Sequence, residues 1–104
     1  MRQGEIRYRL DTSSPIPQHV LVLSGPNHLA ADTGRVIVCR VLPGVLPEDF
    51  AGVHRISYAV DGVTTIGIVV PELIGWLPRS GLSEPVGLVA DLRPVRTLVD
   101  ALFA

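Results

Sequence analysis

The residues of this 104-residue chain that could take part in chemistry are few, and most sit at the borders of apolar runs. His19 is the best acid or base candidate, because imidazole titrates near neutral pH. It reads either as that or as a strand-end histidine with its tip in water. Arg40 is a cation inside the apolar stretch VIVCRVL, on the same face as Val36, Val38 and Leu42. In that place it either pairs with a carboxylate or reaches a phosphate. Arg7 and Arg9 share one face of the opening segment, with Arg2 just before them. They form a small basic patch or simply a solvated strand face. Tyr8 lies between them with a ring on which a base could stack. His28 and His54 stand apart from cysteines and from close carboxylate pairs, so no spacing resembles a zinc site. No metal or other cofactor is called for. Ser24, in LSGP, lacks the glycine context of a nucleophile elbow and is assigned to a turn.

The elements that must position these residues are mostly strands. From Gly4 to Leu10 the chain alternates, with Glu5, Arg7 and Arg9 on one face and Ile6, Tyr8 and Leu10 on the other, a half-buried strand. Asp11 to Pro17 carries two prolines and three hydroxyl residues and is a loop. His19–Leu23 and Val36–Leu42 are rich in Val, Leu and Ile and are bounded by Ser-Gly-Pro, Thr-Gly and Pro-Gly, the chemistry of strands ending in turns. Between them Asn27 to Ala31 allows one helical turn with Asn27 as its cap. The segment Gly44 to Gly52 reads as an ordered loop. Arg55–Val60 and Thr64–Val70 meet across Asp61-Gly62, the strongest local hairpin signal in the chain. Pro71 to Pro85 has too many breakers for a long element and predicts a short helical or extended piece packed on the sheet. Val86–Ala90 is a short last strand. Asp91 then caps a terminal helix whose apolar stripe is Leu92, Val95, Leu98, Val99 and Leu102.

Composition sets the outer limits. A hydrophobic content of 47% against 18% charged residues belongs to a folded chain, and the length predicts a single domain over residues 1–104. All nine basic residues are arginine and the formal net charge is -1, which excludes strong global steering toward nucleic acid or membrane but leaves room for a local phosphate site. The single Cys39 excludes an internal disulfide, and its apolar strand makes it a buried thiol. No apolar segment approaches the roughly 18 residues of a membrane span, so a reducing cytoplasm is the expected compartment.

The order of these elements resembles the MazF/PemK family of toxin–antitoxin toxins. The likeness is carried by MRQGEI at the start, HVLVLS for the second strand, VIVCRVL for the third, GIVVPELI for a later one, and VGLVADLRPVRTLVDALF for the last strand and helix. It implies a mainly β fold, a small SH3-like barrel of five to six strands closed by a C-terminal α-helix. It implies a homodimer in the cytoplasm that cleaves single-stranded RNA without metal, by attack of the RNA's own 2′-hydroxyl, and that a cognate antitoxin protein restrains. The catalytic places of the family fall on Gln18, where it has Arg, and on Leu42, where it has Thr or Ser. Gln18 donates a hydrogen bond without charge, and Leu42 has no polar atom. The catalytic group implied here is therefore Gln18, His19 and Arg40, with Arg7, Tyr8 and Arg9 holding RNA. The same departures also fit a catalytically degenerate member that binds an antitoxin or another protein. A more distant alternative is the related CcdB-like gyrase poison, although the Trp-Gly-Ile tail of that class is replaced here by Ala-Leu-Phe-Ala.

Overall fold

The computed structural model describes residues 1–43, 54–60 and 62–104. Six strands form one antiparallel sheet: β1 (Glu5–Arg9), β2 (His19–Val22), β3 (Arg35–Pro43), β4 (His54–Val60), β5 (Val63–Pro78) and β6 (Leu82–Leu88). Their order across the sheet is β4-β5-β3-β2-β1-β6. A five-residue helix α1 (Pro26–Ala30) joins β2 to β3, and helix α2 (Arg93–Ala101) closes the chain. The sheet curls into a half-barrel that brings its edge strands together. A Cβ on Gly87 of β6 would lie 3.2 Å from the Ala59 carbonyl of β4, a tight contact that glycine avoids. The mainly β class with a closing C-terminal helix is thus the fold expected from the sequence.

Strand β2 explains why the chain reads as it does. All four of its residues are buried. One sheet face packs Ile6, Leu21, Cys39, Ile56, Tyr58 and Val69 under Val95 of α2. The other packs Val20, Val22, Val36, Val38, Leu77 and Leu82 with Leu29 of α1. A strand covered on both faces is continuously apolar rather than alternating. Cys39 is fully buried, and that burial pushes its thiol up to about 11, which keeps it protonated and unreactive.

Four local expectations are corrected. Helix α1 is capped by Gly25 with Pro26 in its first turn, not by Asn27, because the fixed φ of proline suits the first helical position. Helix α2 has Leu92 at its cap; Asp91 sits one residue earlier, where its Oδ1 accepts the Arg93 backbone N–H at 3.1 Å. Strand β5 does not stop near Val70 but runs through Pro71 to Pro78, and β6 starts at Leu82 rather than Val86. The breakers are absorbed by irregular pairing. Arg40 faces Val70 while Cys39 faces Ile74, so residues 71–73 bulge out of β5, and Pro85 lies on an edge strand. The hairpin joining β4 and β5 is present as Val60 paired with Val63, with Gly62 at φ +79°. Asp61 and the loop expected over Gly44 to Gly52 lie outside the described residues.

Candidate functional site

Gln18 and His19 are chain neighbours at the mouth of β2, and the alternation of an extended chain sends them to opposite faces of the sheet. His19 pairs with Tyr8 of β1 and Val41 of β3, which turns its ring toward α2 and the concave side. There it is 8% exposed. Its Nδ1 shares a hydrogen bond of 2.9 Å with the Tyr58 hydroxyl. The Tyr8 ring stacks on it at 4.7 Å between centroids, and Tyr58 meets it edge-on at 5.6 Å. Either tautomer leaves Nε2 buried without a partner. Burial lowers the His19 pKa from its ordinary 6.5 and, with a smaller push from Tyr8, raises that of the Tyr58 phenol. His19 is therefore a neutral imidazole in an aromatic box.

On the opposite face a groove of about 380 Å³ opens between β2, β3 and β5. Arg9, Gln18, Arg40, Glu72 and Trp76 contribute to its lining, and Val20 and Val38 give it an apolar floor. The bulge in β5 builds this site, because the three extra residues between Val70 and Ile74 set Glu72 on the wall shared with Arg40. The Arg40 Nε is buried and unpartnered, and no described carboxylate forms a salt bridge with Arg40. Arg9 is held by Asp11, Nε to Oδ1 at 2.6 Å, a contact that raises the guanidinium pKa and lowers that of the carboxyl. A guanidinium that no described carboxylate pairs, an amide and a carboxylate in one groove suit a phosphodiester whose neighbouring hydroxyl must lose a proton.

The residues singled out from sequence are thus divided. Gln18, Arg40 and Arg9 share the groove, whereas His19 and Tyr8 face the concave side. Arg7 lies apart from both. Its Nη2 meets Glu5 Oε1 at 2.9 Å and its Nη1 donates to the Ser83 carbonyl at 2.6 Å, clipping β1 to β6. Burial pulls the Glu5 carboxyl upward, but hydrogen bonds from Arg7 and the Arg2 backbone outweigh it and leave the pKa below its ordinary value. Leu42 lies in the β3–β5 ladder opposite Ile68. Ser24, buried at a turn, accepts the Ile37 backbone N–H at 2.7 Å and bonds His28 Nδ1 at 2.7 Å. Glu72 is an addition that sequence reasoning missed. Trp76 is 55% exposed with the Arg35 guanidinium 4.7 Å over its ring. The available signal was proline-glutamate inside the apolar run VVPELI, which marks a bulge with a charge on it. Among the described residues, no group of three or more His, Cys, Asp or Glu is placed to hold a metal ion.

Comparison with known proteins gives these features a setting. The chain is 40% identical over 102 residues to Toxin Rv0299 of Mycobacterium tuberculosis (strain ATCC 25618 / H37Rv), an alignment spanning 96% of this chain and 95% of that protein. The family model described as type II toxin-antitoxin system toxin Rv0299 matches residues 4–102, from the glycine before β1 to the end of α2. With nearly its whole length matched, the chain belongs to the Rv0299 family of type II toxin–antitoxin system toxins.

Proposed function

We propose that this toxin acts as a MazF-like endoribonuclease on single-stranded RNA, in the cytoplasm and as a homodimer, with the groove between β2, β3 and β5 as its active site. The observation that carries this reading is the Arg40 guanidinium, whose enclosed Nε has no partner in a groove that also holds Glu72. In this reading the RNA 2′-oxygen attacks the adjacent phosphorus and its proton passes to the Glu72 carboxylate. The bond to the 5′-oxygen breaks, and that oxygen takes a proton from water. Arg40 donates to the phosphate as charge builds on it, and Gln18 adds a neutral donor. Arg9 joins once it exchanges Asp11 for phosphate. His19 and Tyr8 support the strand that carries Gln18 from the opposite face. Phe103, 78% exposed at the chain end, and Trp76 supply apolar surface for a second copy.

The test is purified protein with a long mixed-sequence RNA in the presence of a chelator. Cleavage leaving a 2′,3′-cyclic phosphate and a 5′-hydroxyl is expected, and RNA that stays intact under protein excess overturns the nuclease assignment. Leu42, apolar where the resembled family has a hydroxyl, favours a second reading: a degenerate toxin that still binds antitoxin. Growth arrest with intact RNA and an intact antitoxin complex would select it.

A further inference from the structure

Away from that groove, two cavities of about 610 and 650 Å³ meet at Gln3, Ala90 and Leu92, which line both. One runs beneath α2 over Leu23, Ile37, Val95 and Val99, and the other passes between the N-terminal segment and α1 over Leu29 and Leu88. The charges around them are Arg2, Arg79, Arg93 and Arg96 against Asp91 and Asp100, four positive and two negative, a local balance of +2 on a chain whose net charge is -1. Asp91 is already paired with Arg93 at 2.9 Å, which leaves Arg2, Arg79 and Arg96 facing a single unpaired carboxylate among the described residues. Arg79 is fixed in place. Its Nη2 donates to the Leu29 carbonyl at 2.7 Å, and its Nε is buried without a partner.

We infer that this double cavity seats an acidic segment of the cognate antitoxin that carries apolar side chains for the floor and carboxylates for Arg2, Arg79 and Arg96. The inference rests on membership in the type II toxin family and not on the proposed RNA chemistry. Charge selects the occupant, since an acidic segment complements a hollow whose local balance is +2 on a net negative molecule. Single-stranded RNA is the poorer fit. Among the described residues no aromatic ring lines either cavity to stack a base. Strand addition is disfavoured too, because the edges β4 and β6 already face each other at Ala59 and Gly87. An amphipathic segment laid in a groove is the remaining mode.

The experiment titrates the full chain with its full-length cognate antitoxin and follows growth arrest on co-expression. The expected result is that Arg79→Glu and the double variant Arg2→Glu/Arg96→Glu each raise Kd by about tenfold or more. RNA cleavage is expected to stay at its wild-type level, so that cells arrest despite the antitoxin. Arg40→Glu is expected to leave antitoxin binding unchanged. Arg2 and Arg96 are exposed, so their double variant keeps the test available if Arg79→Glu does not fold. Unchanged affinity in both cavity variants, or a single-stranded oligonucleotide that competes with the antitoxin for this site, overturns the inference. Loss of RNA cleavage in the wild type would instead strike the nuclease reading and leave this one standing.

Discussion

The two faces of the sheet at Gln18 and His19 each hold one buried nitrogen without a partner, and the surroundings give the two different meanings. His19 Nε2 is enclosed by Tyr8, Tyr58 and the core under α2. With 8% of the residue exposed, its missing hydrogen bond is a cost of the fold. Arg40 Nε belongs to a guanidinium on the wall of an open groove, where an incoming anion can supply what the protein withholds. An unsatisfied polar atom thus points to a ligand only where there is room for one. Residues adjacent in sequence can fall on either side of that distinction.

The largest expected effect tests the closed side. Tyr58→Ala removes a ring that packs on His19 and fills the space over Gly67, where an added Cβ would come within 2.8 Å of it. The expected loss is about 3–5 kcal/mol of unfolding free energy in urea, whereas Tyr58→Phe, which deletes only the hydroxyl, loses about 1 kcal/mol. Equal losses in both variants would mean that the hydrogen bond, not the ring, holds the box.

The open side should answer in the opposite currency. Arg40→Ala is expected to lower RNA cleavage by about 10²–10³-fold while stability moves by less than about 1 kcal/mol. A large fall in stability with little loss of cleavage would reverse the assignment of the two faces. A gentler variant narrows the groove itself. A Cβ at Gly75, on the groove wall, meets nothing within 4 Å, so Gly75→Leu starts its side chain in open space. It is expected to raise KM for RNA and leave kcat and the unfolding midpoint nearly unchanged. An unaltered KM would move the substrate elsewhere.

Much of this architecture was legible in the sequence, because strands read from alternation or from continuous apolar runs and α2 reads from its stripe, of which Val95 is the buried centre. What was not legible depends on pairing. Pro71-Glu72 marks an interruption of the apolar run but does not say that β3 will pair on both sides of it, so a bulge in a long strand looked like the end of a short one. The same bulge creates the wall of the groove, and for that reason Glu72 escaped notice. Sequence did place Gln18 just before one apolar strand and Arg40 within the next, and did set Arg40 apart as a cation among valines. It could not tell that His19 would be sealed, since that depends on Tyr58, 39 residues away. Nor could it show that the donors of Arg7 would be taken by Glu5 and Ser83.

The smallest and most graded effect comes from the sealed histidine itself. Because burial lowers the His19 pKa on folding, the unfolded chain takes up a proton near pH 6.5 before the folded chain does. Stability from this group is therefore complete above pH 6.5 and falls as the pH drops, with a slope of at most about 1.4 kcal/mol per pH unit, until the pH passes the folded pKa. The shifted carboxylates act lower. Glu5 titrates from an ordinary 4.5 and Asp11 and Asp91 from 3.8, each lowered by folding, so their contributions are lost only below those values. Urea midpoints between pH 6.5 and 4.5 thus isolate His19 among the described groups with shifted pKa values. The expected result is a wild-type decline over that range that flattens in His19→Gln, with RNA binding in the groove showing no matching dependence. A decline of the same slope in the variant would show that His19 is not the group being titrated and that the box is open to water.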